Sequence, residues 1–330
     1  LLGRSLVADP FWPKKVLEGR EDDIVPCIRC NNCYHIATEH FNTCCTVNPR
    51  VYRENRVPLT LPRAQTARSV VVVGGGPAGL KAALTAAQRG HQVTLVEQSG
   101  ALGGLMIPAS VGAFKEDLRR YLSYLRRQVE KSQIHVMLHT RADRALLEHL
   151  HPDAVILAVG GRAVMPPVPG LGTSGAVQAV ALLNAGLETA GTRVTILGGG
   201  SIGCELALEL AALDRMVTVV ELRDKLAANG NELYRQDLML HLEQETRITI
   251  LTQTVCTGVT AQGCTVREKD GGTRVIPHDT FVIAAGLRAD ADAVEALYGV
   301  VPETYYVGDC KRAASITEAT TEAYFLGASL

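Results

Sequence analysis

The hydrophobic positions of this 330-residue chain gather into two dense blocks with one shared rhythm. The first, "SVVVVGGGPAGLKAALTAAQRGHQVTLVEQ" from Ser69, runs from a short apolar stretch through a glycine turn and an Ala-rich segment to a second apolar stretch. Short β-branched runs bounded by glycine predict buried strands, and the segment between them, with apolar residues at helical spacing, predicts a helix. The same β-α-β rhythm returns at 193–221 in "RVTILGGGSIGCELALELAALDRMVTVVE", its glycine turn 124 residues further on. That period is too long for a solenoid and reads as one design used twice. Between the blocks, "FKEDLRRYLSYLRRQVEK" (114–131) predicts an amphipathic helix with a solvated basic face. From Phe281 the pattern is strand ("FVIAAG"), then "YYVGDC", then the helix-like "ITEATTEAYFLGA". Ahead of the first block, a strand-like start leads into "ADPFWPKKVLEGRED", where Asp9-Pro10 predicts a helix start and Trp12 an aromatic anchor; 27–65 has little periodicity.

Composition narrows the classes. With 33 basic and 34 acidic residues, nothing favours nucleic acid or an anionic membrane as partner. The apolar runs have strand length and are too short to span a bilayer. No signal peptide is recognisable, so the expectation is cytoplasmic. The first residue is not Met, which suggests that the chain starts inside a larger protein.

Five of the nine cysteines fall within "CIRCNNCYHIATEHFNTCC" (27–45). In a reducing compartment such clustering points to metal rather than disulfides. Two metal readings stand. Four thiolates suit a structural zinc, with His35 and His40 as further candidate ligands. C-x2-C-x2-C with a distant fourth cysteine suits an iron–sulfur cubane. Cys204, Cys256, Cys264 and Cys310 are isolated and read as small buried apolar residues.

Gly74, Gly76 and Gly79 form G-x-G-x-x-G between strand and helix, the arrangement that permits a tight turn, close approach of a pyrophosphate and packing of helix on strand. The helix N-terminus offers free N–H groups to phosphate. Glu97, eighteen residues past Gly79, ends the second strand, where a carboxylate can bind a ribose. Gly198, Gly200, Gly203 and Glu221 repeat the set at the same offset. Two such units in one chain point to a flavin in one and a hydride donor in the other. The glycine pair after Glu97 (Gly103, Gly104) and the Gly-Asp at Asp309 suit a flavin, so unit one is expected to hold FAD and unit two the nicotinamide. Glu221 favours NADH over NADPH.

Together "GGGPAG", Glu97, "AVGGRAVMPPVPG", "GGGSIGCE" and "VGDC" resemble the flavoprotein disulfide reductase fold, though without its redox Cys-x-x-Cys. "LGRSLVADPFWPKK" resembles the last βα unit of the Old Yellow Enzyme barrel. Cys27, Cys30, Cys33 and Cys45 followed by "TVNPR" resemble the segment after that barrel in the fused 2,4-dienoyl-CoA reductases, 2-enoate reductases and amine dehydrogenases. Two residues rather than three separate the second and third cysteines, as in the amine dehydrogenases; the intact second glycine turn favours the NADH-using branch. The resemblance implies an α/β fold: two Rossmann-like dinucleotide domains, the NAD domain inserted in the FAD domain, preceded by a [4Fe-4S] segment and a TIM-barrel remnant. The implied boundaries are 1–26 (end of a truncated FMN barrel), 27–65 (cluster segment), 66–165 and 281–330 (FAD) and 166–280 (NAD).

It further implies FAD contacts at Gly74, Gly76, Pro77, Ala78, Gly79, Glu97, Gly103, Gly104, Leu105, Ala158, Gly160 and Asp309. NAD contacts would be Gly198, Gly200, Ser201, Ile202, Gly203, Glu205, Glu221 and Gly286. Cluster ligands would be Cys27, Cys30, Cys33 and Cys45, the last chosen over Cys44 because "CTVN" with Asn48 matches the family's Cys-x-x-Asn. Gly3 and Arg4 match residues that hold FMN phosphate when a barrel is present. The implied route runs from NADH through FAD and the cluster to FMN, which reduces an activated C=C bond in a small-molecule substrate. No catalytic residue of that last step lies in this chain, which alone would show only diaphorase activity. A homo-oligomer is left open. The rival is an ADP-binding structural module of an amine dehydrogenase-like protein that passes electrons to a partner.

Overall fold

The computed structural model describes residues 2–34, 44–228 and 230–330, so His35 and His40 lie outside the described residues. The chain opens with helices α1 (Gly3–Ala8) and α2 (Trp12–Leu17), then enters the first repeat: β1 (Ser69–Val73), α3 (Pro77–Gln88) and β2 (Gln92–Val96). Helix α4 (Glu116–Glu130) and strands β3 (His135–Met137), β4 (Ala154–Leu157) and β5 (Gly161–Ala163) follow. The second repeat comprises β6 (Val177–Gln178), β7 (Arg193–Leu197), α5 (Ser201–Ala212), β8 (Met216–Val220), α6 (Glu232–Gln244) and β9 (Ile248–Leu251). Strands β10 (Val255–Val259), β11 (Gly263–Arg267), β12 (Thr273–Pro277), β13 (Thr280–Ile283), β14 (Leu287–Ala289) and β15 (Thr304–Tyr306) lead to the last helix, α7 (Ile316–Ser329).

Two compact units result. The first takes the chain up to Ser110, then Lys115–Arg162 and Arg288–Leu330; the second takes Val111–Phe114 and Ala163–Leu287. The first sheet runs β15-β4-β1-β2-β3 and is parallel throughout. The second runs β6-β13-β7-β8-β9, also parallel, and carries the antiparallel ladder β10-β11-β12. Parallel sheets are covered on both faces, which explains the unbroken apolar runs: Val70–Val73 are all buried. β1, α3 and β2 map onto β7, α5 and β8 at a constant offset of 124, as the sequence rhythm predicts.

Two expectations change. Thr280–Ile283 pairs with β6 and β7, so the strand expected in the second FAD segment belongs to the second unit, and the return to the first unit falls at Arg288. The strand-like start is helical over Gly3–Ala8. A lone strand there would leave its backbone unpaired, whereas a helical turn satisfies it internally. Val7, Ala8 and Val25 pack into the core of the first unit with Cys27, Ile28 and Cys45.

That docking has a polar pin. Asp9, 2% exposed, accepts from the backbone N–H of Phe11 (3.0 Å) and Val25 (2.9 Å) and from Lys15 Nζ (2.6 Å), tying α1 and α2 to the strand of chain just before Cys27. The basic face of α4 is not merely solvated, since Arg127 and Lys131 pair with Asp22 and Asp23 at 2.6 and 2.9 Å. Those pairs are exposed and add little, whereas removing one partner of a buried pair strands the other. Asp9→Ala is therefore expected to cost about 3 kcal/mol in urea unfolding and Arg127→Ala less than about 1 kcal/mol; equal effects would mean that apolar contact alone holds the segment.

Candidate functional site

The glycines of the first turn divide by what each one's missing side chain would meet. A Cβ on Gly74, which sits at φ +105°, would lie 2.3 Å from the Ala158 carbonyl oxygen, and one on Gly79 would lie 1.8 Å from the Gly74 carbonyl oxygen. The protein's own backbone excludes both. Gly76 is different: the nearest atom to its Cβ would be Gly104 Cα at 4.0 Å. Its lack of a side chain serves open space at the N-terminus of α3, where free N–H groups attract phosphate.

The other expected FAD residues converge there. Gly103 donates its N–H to the Gly75 carbonyl (2.7 Å), and a Cβ on Gly104 would fall 2.9 Å from Gly76 Cα. Gly308 takes φ +72°, with space for a Cβ blocked by Ala78 at 2.8 Å, so Asp309 is brought beside the first turn of α3. Burial raises the Asp309 carboxyl above the usual carboxylate range. Glu97 is buried and its two oxygens accept from Gly75 N (2.6 Å) and Ser99 N (2.7 Å). A carboxylate has about four acceptor positions, so this clamp leaves capacity for ribose hydroxyls. Pro77 and Ala78 open α3, Leu105 precedes the short turn at Met106–Ala109, and Ala158 and Gly160 follow β4.

The second unit repeats the logic. Gly198 (φ +114°) and Gly203 are required by backbone at 2.4 and 2.0 Å, while a Cβ on Gly200 or on Gly286 would meet nothing within 4 Å. Glu221 accepts from Gly199 N (2.6 Å) and Arg223 N (2.8 Å), the counterparts of Gly75 and Ser99. Ser201 and Ile202 begin α5, and Glu205 accepts a hydrogen bond from the Tyr234 hydroxyl. Where the first unit has Gly103-Gly104, the second has Ala227-Ala228. Both cradles fit a dinucleotide.

The third constellation is a pocket lined by Cys27, Cys30, Cys33 and Cys45, with Arg4, Asn31 and Thr46 among its other walls. Cys44 is not part of the lining; its sulfur accepts from Asn32 Nδ2 at 3.2 Å. Burial pushes the Cys45 thiol up to about 11, and burial plus the neighbouring Cys30 and Cys27 raises Cys33. Asn48 is buried and donates to the Val7 carbonyl (2.9 Å), so it fastens α1 to the pocket wall. Arg4 donates to Asn31 Oδ1 (2.7 Å) and borders the cysteines.

Three residues escaped the sequence reading: Asn32, Thr46 and Thr317. Thr46 Oγ1 lies 3.2 Å from Cys30 Sγ and 2.7 Å from Thr317 Oγ1, which in turn accepts from Asn32 Nδ2 at 3.2 Å. The two threonines are 271 residues apart, and no local pattern could have joined them. Among the described residues, no helix is long and apolar enough to cross a membrane.

Residues 68–323 match the family model described as pyridine nucleotide-disulphide oxidoreductase. The chain belongs to that family. It is an oxidoreductase of the two-dinucleotide, Rossmann-like kind, and the family supports FAD and NADH as the two nucleotides. It is similar to a bilirubin reductase of Mediterraneibacter gnavus, 34% identical over 98% of this chain and 50% of the relative. It is also similar to an NADH oxidase of Thermoanaerobacter brockii, 36% identical over 86% of this chain and 44% of the relative. A solved 2-naphthoyl-CoA reductase superposes with a TM-score of 0.93 at 30% identity, covering 99% of this chain and 50% of that one. The chain spans about half the length of the curated relatives it matches.

The glycine pattern separates folding from binding. Gly79→Ala should prevent folding of the first unit, since its Cβ would sit 1.8 Å from a carbonyl oxygen. Gly76→Ala should leave the unfolding midpoint of the nucleotide-free protein unchanged and abolish retention of FAD, measured as flavin per chain; Gly200→Ala should keep FAD and weaken NADH. Wild-type flavin content in Gly76→Ala would place the dinucleotide elsewhere.

Proposed function

We propose that this chain is the electron-input part of an iron–sulfur flavoprotein reductase. When bound, FAD accepts hydride from NADH, and a [4Fe-4S] cluster carries single electrons onward to the FMN of a barrel outside this chain. The observation that carries the reading is that the FAD cradle and the four-thiol pocket lie in one compact unit, while a separate unit holds an intact second dinucleotide turn.

The chain's own residues perform positioning and electrostatics. The α3 N-terminus neutralises pyrophosphate, Glu97 holds the adenosine ribose, and Asp309 is aimed by its glycine at the remaining polar chain of the flavin. In the second unit Glu221 accepts from the 2′-hydroxyl of NADH and repels a 2′-phosphate, which favours NADH over NADPH. Cys27, Cys30, Cys33 and Cys45 are the proposed cluster ligands. Zinc would draw four sulfurs to about 2.3 Å from one point, whereas a cubane spreads them over separate irons. Relatives named for reducing bilirubin and 2-naphthoyl-CoA favour an unsaturated substrate, met at the barrel that Gly3 and Arg4 would help complete.

Purified anaerobically, the protein should show a flavin spectrum with a broad iron–sulfur shoulder and reduce artificial acceptors with NADH. A colourless protein carrying ADP, or stoichiometric zinc, would overturn the reading, and a kcat/KM favouring NADPH would overturn the nucleotide choice. Cys45→Ser should lose iron while Cys44→Ser keeps it; equal iron in the two would remove Cys45 from the ligand set.

A further inference from the structure

The side chains between the cysteine pocket and the first turn of α7 form a line of hydrogen bonds with only one consistent direction once Cys30 is a ligand. A metal-bound thiolate has no proton, so at the 3.2 Å contact it can only accept, and the single Thr46 hydroxyl proton must point to Cys30 Sγ. Thr46 Oγ1 is then an acceptor toward Thr317 at 2.7 Å, so the Thr317 hydroxyl donates. Thr317 Oγ1 in turn receives an N–H from Asn32 at 3.2 Å. Each donor is polarised by the one behind it, and the chain ends on the sulfur. In the metal-free protein the Cys30 thiol can donate instead, so loading fixes the direction.

The line is held from both ends. Thr320 Oγ1 donates to the Thr46 carbonyl at 2.6 Å and is fully buried, which fastens the cysteine segment to α7. Thr317 sits on the turn capped by Ser315 and Glu318, whose mutual bonds form a capping box. The Thr46 hydroxyl therefore cannot turn away without losing its partners.

We propose that Asn32, Thr317 and Thr46 form a hydrogen-bond relay that tunes the cluster through Cys30, raising its reduction potential by stabilising charge on that thiolate. This rests on the cluster reading above. Hydrogen bonds to ligand sulfurs are among the determinants of iron–sulfur potentials, and a bond to a charged acceptor is stronger than a neutral one. Thr46 is a positioning residue: it touches a ligand, and its effect appears in the potential rather than in cluster retention.

The test is an EPR-monitored redox titration of the loaded protein, with iron and sulfide measured on the same samples. T46V removes the donor at nearly constant shape and should keep full iron. It should make the cluster about tenfold harder to reduce against the same mediator, a fall of about 59 mV for a one-electron couple. T46S restores the hydroxyl and should return the wild-type value, and T317V should give a smaller shift in the same direction. Full iron with an unshifted potential in T46V, or a T46S that behaves like T46V, would overturn the relay. If T46V fails to hold iron, T317V leaves the cysteine segment intact and decides alone, an unshifted potential overturning the proposal. Absence of iron and sulfide from the wild type would instead overturn the cluster reading, and that result is read before any potential is measured.

Discussion

The structure depends first on how closely a helix can be laid against the strand that precedes it. At Gly79 and Gly203 the helix passes so near the glycine that opens the turn that a Cβ would stand 1.8 and 2.0 Å from its carbonyl oxygen. Only that approach points the first turn of α3 and α5, with their unsatisfied N–H groups, at the carboxyl ends of the parallel strands, where ligands bind in open α/β sheets. The carboxylates follow from the same geometry. Because the turn is tight, the N–H groups of Gly75 and Gly199 reach Glu97 and Glu221, each at 2.6 Å. Each acid is thereby pre-oriented before any ribose arrives.

The cysteine segment obeys a different constraint. Its described residues 27–31 and 44–48 form neither helix nor strand, so their backbone and thiols are placed by what they lean on. Asp9 fixes the chain before Cys27, Asn48 fixes α1 to the chain after Cys45, and Thr320 holds the carbonyl between them. All three are buried polar side chains hydrogen-bonded to backbone, Asp9 to Lys15 as well. Buried polar groups bonded in this way specify one arrangement, because any slip leaves them unpaired at a cost above that of the bond itself. A pocket for a group with fixed geometry needs that kind of specification more than it needs apolar adhesion.

These two constraints explain what could be read from the chain. The glycine turns, their acids and the strands around them were legible because every interaction involved is local, from Gly74 to Glu97 or from Gly198 to Glu221, and repetition doubled the signal. The cysteine spacing was legible as a cluster of thiols, and the pocket lining takes in Cys27, Cys30, Cys33 and Cys45 without Cys44. Thr46, Thr317 and Asn32 were not legible, since ordinary polar residues acquire meaning only when a helix 271 residues away is folded onto them. The helical start misled because Leu, Val and Ala suit strand or helix, and the absence of a pairing partner, which decides, is not a local property. The boundary error at Thr280–Ile283 arose likewise: a strand belongs to whichever sheet accepts its hydrogen bonds, here β6 and β7.

The short stretch that closes the first unit joins its two sites mechanically. Asp309 accepts from the N–H of Ala314 (3.2 Å), Ser315 and Glu318 cap α7, and Thr317 reaches the Thr46 hydroxyl (2.7 Å). The Asp309 carboxylate beside the first glycine turn and the Thr317 hydroxyl behind the cysteine pocket are thus eight residues apart on one short stretch. Helix α7 packs along α3, so the same pair of helices carries the first glycine turn's helix N-terminus and the support for the cysteine segment. On the function proposed above, the two sites exchange single electrons, and a fold that must keep two groups at constant spacing does best to seat both on one core. The second glycine turn, proposed above for the nicotinamide nucleotide, is built in a unit with a hydrophobic core of its own.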